Sequence, residues 1–117
     1  MRAMRSMIVA AALAAALPGV AFADEDPRGG GLTAVIACFS ARTQQLDDGV
    51  SDAGTIARAV ASTCTEERLE ADRIFTADMG KRARTAFMAT ADDRYRDLAL
   101  QVVLAERAKA RERRANR

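Results

Sequence analysis

Two cysteines, Cys38 and Cys64, are the side chains whose type could support redox or soft-metal chemistry, and 25 residues lie between them. The 117-residue sequence has no histidine, so the commonest general base and the commonest transition-metal ligand are both missing. Catalytic dithiols usually lie close in sequence with one thiol at a helix N-terminus, and neither cysteine is expected to begin a helix. A metal site would need further ligands. We therefore predict a structural Cys38–Cys64 disulfide, no metal site and no cofactor.

Adjacent acidic residues are the other groups that could do chemistry. Neighbouring helical residues point about 100° apart, so such carboxylates do not converge on one substrate. Their spacing also departs from that of a calcium-binding loop. Serine and threonine hydroxyls have no histidine to activate them, and both lysines lie in highly charged stretches. We expect no catalytic residue and interpret the pairs as solvated caps and turns: Asp47-Asp48, Glu66-Glu67 and Asp92-Asp93.

The N-terminus has the three parts of a secretory signal peptide. Arg2 and Arg5 precede an unbroken apolar run over residues 7–17, and Ala21-Phe22-Ala23 is a small-x-small cleavage site. An uncleaved membrane anchor is the alternative, but even the stretch from Met7 to Phe22, which contains Pro18 and Gly19, has 16 residues, fewer than the roughly 20 of a spanning helix. We predict that residues 1–23 are removed after Ala23. The mature chain would then be periplasmic or secreted, with no transmembrane helix.

Removal of this segment leaves a chain that is neutral overall. The sequence has 18 basic and 16 acidic residues, and two arginines leave with the signal peptide. Residues 105–117 still carry six basic and two acidic side chains. They could bind an anionic membrane or envelope polymer, or they could only favour the end of a helix dipole. We expect no nucleic-acid partner, because no aromatic residue lies among them for stacking. The candidate anionic-surface contacts are Arg107, Lys109, Arg111, Arg113, Arg114 and Arg117.

Helices are the elements that must position these groups. Half of the residues are hydrophobic but only 4% are aromatic, which disfavours a β-sandwich or a barrel. We divide the mature chain into a flexible leader (residues 24–31), a single helical domain (residues 32–110) and a basic C-terminal tail (residues 111–117). Apolar spacing predicts helices over residues 32–47, from Ser51 or Asp52 to about residue 80, and from a capping box at Thr90 to about residue 110. The segment Lys81–Ala89 is either helix or loop.

The cysteine positions fit this arrangement independently. Each cysteine lies 13 residues from Ser51, which is near the centre of the first predicted turn. Residues at equal distances from the turn of an antiparallel helical hairpin lie side by side. We predict an all-α fold in which a disulfide-stapled antiparallel helical hairpin packs on a long third helix.

The third predicted helix carries more apolar residues than one packed face requires. Leu100 and Leu104 lie on the side opposite to the main stripe. We interpret Leu100 and Leu104 as a face for a protein partner or a second copy of the chain. The alternative is that they pack under Phe87 and Met88. The main stripe consists of Ala91, Tyr95, Leu98, Val102 and Ala105.

The cysteines and the residues around the first turn also carry a family resemblance. The series Cys38, Leu46, Asp52-Ala53-x-x-Ile56-Ala57-x-Ala59, Cys64 and Leu69 resembles a recurring type of small secreted bacterial protein. Those proteins have a signal peptide, one disulfide-stapled helical hairpin and a charged helical C-terminus. The resemblance implies a fold and a compartment but no activity. Periplasmic helical chaperones and metal-stress sensors are superficially similar, but their Leu-Thr-x-x-Gln motif and their His-rich or Met-rich ends are missing here.

These observations favour a small exported helical interaction or accessory protein that is not an enzyme. The alternative is a surface-binding module that docks on anionic membrane or envelope polymer through its basic C-terminal helix. Salt separates the two, because docking of the basic helix should weaken at high ionic strength while apolar binding should persist.

Overall fold

The computed structural model describes the backbone of residues 27–117 and the side chains of residues 29–117. The predicted signal peptide, its cleavage site after Ala23 and the first residues of the predicted leader lie outside this range. The regular elements of this part are all helices, which confirms the all-α prediction. It contains α1 (Pro27–Leu46), α2 (Ala53–Thr63), α3 (Thr65–Thr76), α4 (Lys81–Ala89) and α5 (Ala91–Ala115).

Helix α1 is longer than the sequence indicates at its N-terminal end. It begins at Pro27, so residues 27–31 of the predicted flexible leader belong to the helix. Proline fits the first turn of a helix, because its missing N–H would have no intrahelical partner there. At the other end, Gly49 has a φ of 72°, a left-handed conformation that glycine adopts readily in the turn after a helix. The Asp52 side chain then accepts a hydrogen bond from the Thr55 N–H and caps α2.

The prediction of one continuous second helix is wrong, because the chain breaks at Cys64. This residue has φ −106° and ψ 46°, outside the helical range, so α2 ends there and α3 begins. Side chains supply the carbonyls at the end of α2 with new donors: the Arg68 guanidinium bonds to Ala61 O at 3.0 Å, and the Thr63 hydroxyl to Val60 O at 2.7 Å. The break lets α2 pack mainly on α5 while α3 packs mainly on α1.

The segment Lys81–Ala89, ambiguous in sequence, is helix α4. None of its side chains is fully buried, so it is held by few contacts. The predicted capping box after it does not form, because the Thr90 side chain makes no cap hydrogen bond to α5. The Thr90 hydroxyl bonds to Phe87 O instead, at 3.3 Å.

The core lies between α1, the α2–α3 pair and α5. Helix α1 approaches α3 closely at Gly31, where a Cβ atom would lie 3.0 Å from the Ala71 Cα. The α5 stripe differs from the predicted one, since Ala105 is exposed while Ala99, Val103 and Glu106 are buried. The largest fully buried side chains are Phe39, Val35, Val60, Val103, Thr43 and Cys64.

Candidate functional site

The Cys38–Cys64 disulfide is confirmed, with an S–S distance of 2.01 Å and a Cα–Cα distance of 6.2 Å. It joins α1 to the junction of α2 and α3, so it staples the antiparallel hairpin. One expectation is wrong, because Cys64 is the N-cap residue of α3. The Glu67 carboxylate lies within 4.8 Å of both sulfurs. Since both sulfurs are held in the disulfide, this group offers no thiolate to a metal ion.

The basic end of α5 divides into two groups, and the first is occupied within the protein. The Arg107 guanidinium donates two 2.9 Å hydrogen bonds to Asp47 and a third to Ser51 O. These bonds and the nearby charge hold the pKa of the Asp47 carboxyl below its usual range. Asp47 is therefore a turn residue, since it also accepts a hydrogen bond from the Gly49 N–H, but it is paired with Arg107 rather than solvated. Lys109 lies 3.4 Å from Glu106, which also accepts a hydrogen bond from Ser40.

The second basic group is exposed. Four arginines follow, three on the last turns of α5 and one beyond its end, and their side chains make no hydrogen bond or ion pair to any residue in the range 29–117. Three of them border an open hollow at the C-terminal end of α1, which is also lined by Asp47, Asp48 and Glu106. Of the predicted anionic-surface contacts, these four remain available: Arg111, Arg113, Arg114 and Arg117.

The two leucines predicted as a partner face are in different environments. Leu100 is half-buried and packs against the core, whereas Leu104 is 50% exposed. They therefore do not form one outward face. On the side toward α4, Leu98 rather than Leu100 or Leu104 lines a cleft together with Phe87. A role of Leu104 in partner binding stays a prediction.

An apolar cleft lies where the N-terminal parts of α1 and α5 meet α3 and α4. Its volume is about 440 Å³, within the roughly 300–1,000 Å³ range of small-ligand sites. The rings of Phe75 and Phe87 stack with centroids 4.7 Å apart and form one wall. The cleft is lined by Gly29, Leu32, Ala71, Asp72, Phe75, Phe87, Arg94, Tyr95 and Leu98.

A buried polar pair lies in the wall of this cleft. The Tyr95 hydroxyl donates a 2.6 Å hydrogen bond to Asp72, and both residues are buried. The Arg68 guanidinium carbon lies 4.5 Å from the Tyr95 ring centroid, in a cation–π contact, and Arg68 also pairs with Asp92 at 2.7 Å. Burial and the hydrogen bond to Asp72 raise the pKa of Tyr95 above its ordinary value of 10.0. The pair therefore stays a phenol and a hydrogen-bond acceptor rather than a proton-transfer couple.

Arg94 is the cationic group of the cleft. Its guanidinium carbon lies 3.7 Å from the Phe87 ring centroid, and its Nη1 donates to Phe87 O and to the Thr90 hydroxyl. Its Nη2 is buried and has no hydrogen-bond partner. Arg94 also forms no salt bridge with any carboxylate of residues 29–117.

This cleft is not predicted from the sequence. Three of its four walls are in the predicted helices, but the fourth is α4, whose fold the sequence leaves open. The signal that could point to it is aromatic: Phe75, Phe87 and Tyr95 are three of only five aromatic residues in the sequence. All three face this cleft.

Comparison with known protein families, with curated proteins and with solved structures gave no match. Within the described part of the chain, no helix combines the length and the apolar character needed to cross a membrane. The disulfide is typical of proteins from an oxidising compartment outside the cytosol.

Proposed function

We propose that this chain is an exported, non-catalytic helical interaction protein that binds its partner in the apolar cleft between α1, α3, α4 and α5. The predicted N-terminal signal sequence and the disulfide support export. The observation that carries the proposal is the cleft itself, where apolar side chains of four helices surround a cavity of about 440 Å³. Leu32 and Phe75 line it and remain 45% and 37% exposed. Such residues at the rim of a concave site are typical of binding surfaces.

A non-catalytic role is supported by the chemistry of the titratable groups. Tyr95 is held as a phenol, Asp72 accepts its hydrogen bond, and the sequence has no histidine to act as a base. The thiols are joined in the disulfide. The cleft is thus equipped for binding and positioning rather than for proton transfer or nucleophilic attack.

Site-specific photo-crosslinking in the producing cells tests the proposal. A photoreactive residue at Leu32, on the cleft rim, should give a discrete adduct in the cell envelope that survives high salt. The same residue at Leu46, which is 42% exposed on the same helix but outside the cleft, is the matched control. Leu98→Glu should abolish the Leu32 adduct while the variant stays helical. Equal adducts at both positions, or no adduct at Leu32, would overturn the proposal.

A second candidate function is docking on an anionic membrane or envelope polymer. The observation that favours it is the group of four exposed arginines on the last turns of α5 and just beyond its end. Co-sedimentation of the mature protein with vesicles containing anionic lipid should be lost in Arg113→Gln/Arg114→Gln and should fade as salt rises. Arg96→Gln/Arg82→Gln removes the same charge elsewhere and is the control. Equal binding of both variants would exclude the arginine cluster as the contact.

A further inference from the structure

We infer that the cleft binds an apolar group that ends in a carboxylate, and that Arg94 is the residue that binds this carboxylate. The inference rests on the proposed function, because it names the ligand chemistry of the same cleft. A hydrocarbon tail would lie against Leu32, Leu98 and the stacked Phe75–Phe87 pair. Both an acyl chain and the C-terminal residue of a polypeptide have this chemistry.

Arg94 has a buried hydrogen-bond donor without an acceptor. A buried guanidinium N–H without an acceptor is costly, and charged groups cost the most. Nη1 of Arg94 already has two acceptors, in Phe87 O and the Thr90 hydroxyl, whereas Nη2 has none. A carboxylate would give Nη2 its missing acceptor and would neutralise a positive charge that no acidic side chain of residues 29–117 pairs with.

The cleft is lined by two charged side chains, those of Asp72 and Arg94. Asp72 could in principle attract a cationic ligand, but its carboxylate already accepts the 2.6 Å hydrogen bond from Tyr95. The Arg68 guanidinium also lies close by, over the Tyr95 ring. The Asp72 carboxylate therefore has partners within the protein, whereas the positive charge of Arg94 has no acidic partner among residues 29–117. The cleft is complementary to an anion rather than to a cation.

A carboxylate ligand needs a path to Nη2 of Arg94. Nη2 is shielded from solvent, so the Phe87 ring that covers the guanidinium must shift for a carboxylate to reach it. Phe87 belongs to α4, which has no fully buried side chain and contacts the rest of the protein through few residues. A small outward movement of α4 would open the path without disturbing the core between α1, α2–α3 and α5.

Calorimetric titration of the disulfide-bonded mature protein tests the inference, with decanoate as the probe and decanol and decylammonium as the neutral and cationic controls. Decanoate should bind most tightly, and Arg94→Gln should weaken it by at least about tenfold while leaving decanol unchanged. Arg96→Gln removes a neighbouring arginine of α5 that pairs with Asp93, and it should leave decanoate affinity unchanged. Equal binding of decanoate and decanol, or tighter binding of decylammonium, would overturn the inference.

Further arms identify the source of the carboxylate and separate this inference from the proposed function. A short leucine peptide with a free C-terminal carboxylate, compared with its amide, tests the polypeptide source. Binding of the free acid alone assigns a protein C-terminus, and binding of decanoate alone assigns an acyl chain. If the Leu32 photo-adduct forms but neither carboxylate binds, the inference fails and the proposed function stands. If decanoate binds without any adduct, the protein-partner proposal fails and the carboxylate site stands.

Discussion

Tyr95 on α5 donates a 2.6 Å hydrogen bond to Asp72 on α3, and the exposed fractions of the two residues are only 7% and 6%. This is a side-chain link across the core between helices that are far apart in sequence. Phe39 of α1 packs edge-on against the same Tyr95 ring, with centroids 6.5 Å apart. One residue therefore joins three helices, through a hydrogen bond on one side and ring packing on the other.

Removing the Tyr95 hydroxyl should cost stability. Tyr95→Phe keeps the ring but leaves the buried Asp72 carboxylate without its donor, which we expect to lower the free energy of unfolding by about 1–3 kcal/mol. Urea unfolding followed by circular dichroism measures this. In the double variant with Asp72→Leu the penalty should shrink, because no buried carboxylate is left unpaired. Equal losses from Tyr95→Phe in the Asp72→Leu background and in the wild type would contradict the assigned role.

The same pair predicts a loss of stability at alkaline pH. The pKa of Tyr95 is raised in the folded protein above 10.0, its ordinary value and the one expected in the unfolded chain. The folded state therefore favours the neutral phenol, and its stabilising contribution is complete below pH 10 and decreases as pH rises above it. Tyr95 is the only tyrosine and the sequence has no tryptophan, so tyrosinate absorbance reports its titration directly. A midpoint near 10 in the folded protein would refute the prediction.

The Arg107–Asp47 pair should give an acid-sensitive contribution. Because the hydrogen bonds from Arg107 lower the pKa of Asp47 from 3.8, the stabilisation is complete above that value and is lost as pH falls through the lower folded-state pKa. Arg107→Gln should therefore lower the melting temperature at pH 7, and the difference from wild type should shrink toward pH 2. Arg111→Gln, one turn further along α5, is the control and should melt like the wild type.

Loss of the disulfide should weaken the fold without changing its class. The bond closes a loop over a sequence separation of 26 residues, for which the chain-entropy relation gives about 3–4 kcal/mol. We expect Cys38→Ser/Cys64→Ser to lose about this free energy of unfolding and to keep its helical spectrum at low temperature. A reductant should lower the stability of the wild type to a similar level and leave the double variant unchanged. Unaltered stability of the variant would show that the staple adds nothing.

Two neighbouring glycines of α1 should respond in opposite directions to the same substitution. A Cβ at Gly31 would lie 3.0 Å from the Ala71 Cα and 3.4 Å from the Ile74 side chain, whereas nothing lies within 4 Å of one at Gly30. Gly31→Ala should destabilise the protein by pushing α1 from α3. Gly30→Ala should stabilise it by up to about 1 kcal/mol through helix propensity alone. Thermal melts of both variants measure the contrast, and matching shifts would argue against close packing at Gly31.

Some features of the fold are determined by residues that lie close together in the sequence. The disulfide, the Asp52 cap and the left-handed Gly49 follow from short-range chemistry and were predictable. The break at Cys64 was not, because neither proline nor glycine marks it and the freed carbonyls are supplied by Arg68 and Thr63. The spacing of apolar residues along α5 also does not show that Ala99 is buried and Ala105 exposed. Each of these alanines lies within one helical turn of the apolar stripe. The cleft depends on where α4 packs, which is a tertiary property.

Helices α1 and α5 run in the same direction, with their N-terminal parts meeting at the cleft and the Arg107–Asp47 bond near the end of α1. The cleft and the four exposed arginines therefore lie at opposite poles of the molecule. At 1.5 Å per residue, Arg94 and Arg113 are separated by about 28 Å along α5. If the C-terminal arginines bound an anionic surface, the cleft would face away from that surface. Its distance from the surface would be set by the length of α5. In that geometry the protein would act as a short spacer that presents its ligand away from the surface to which it is attached.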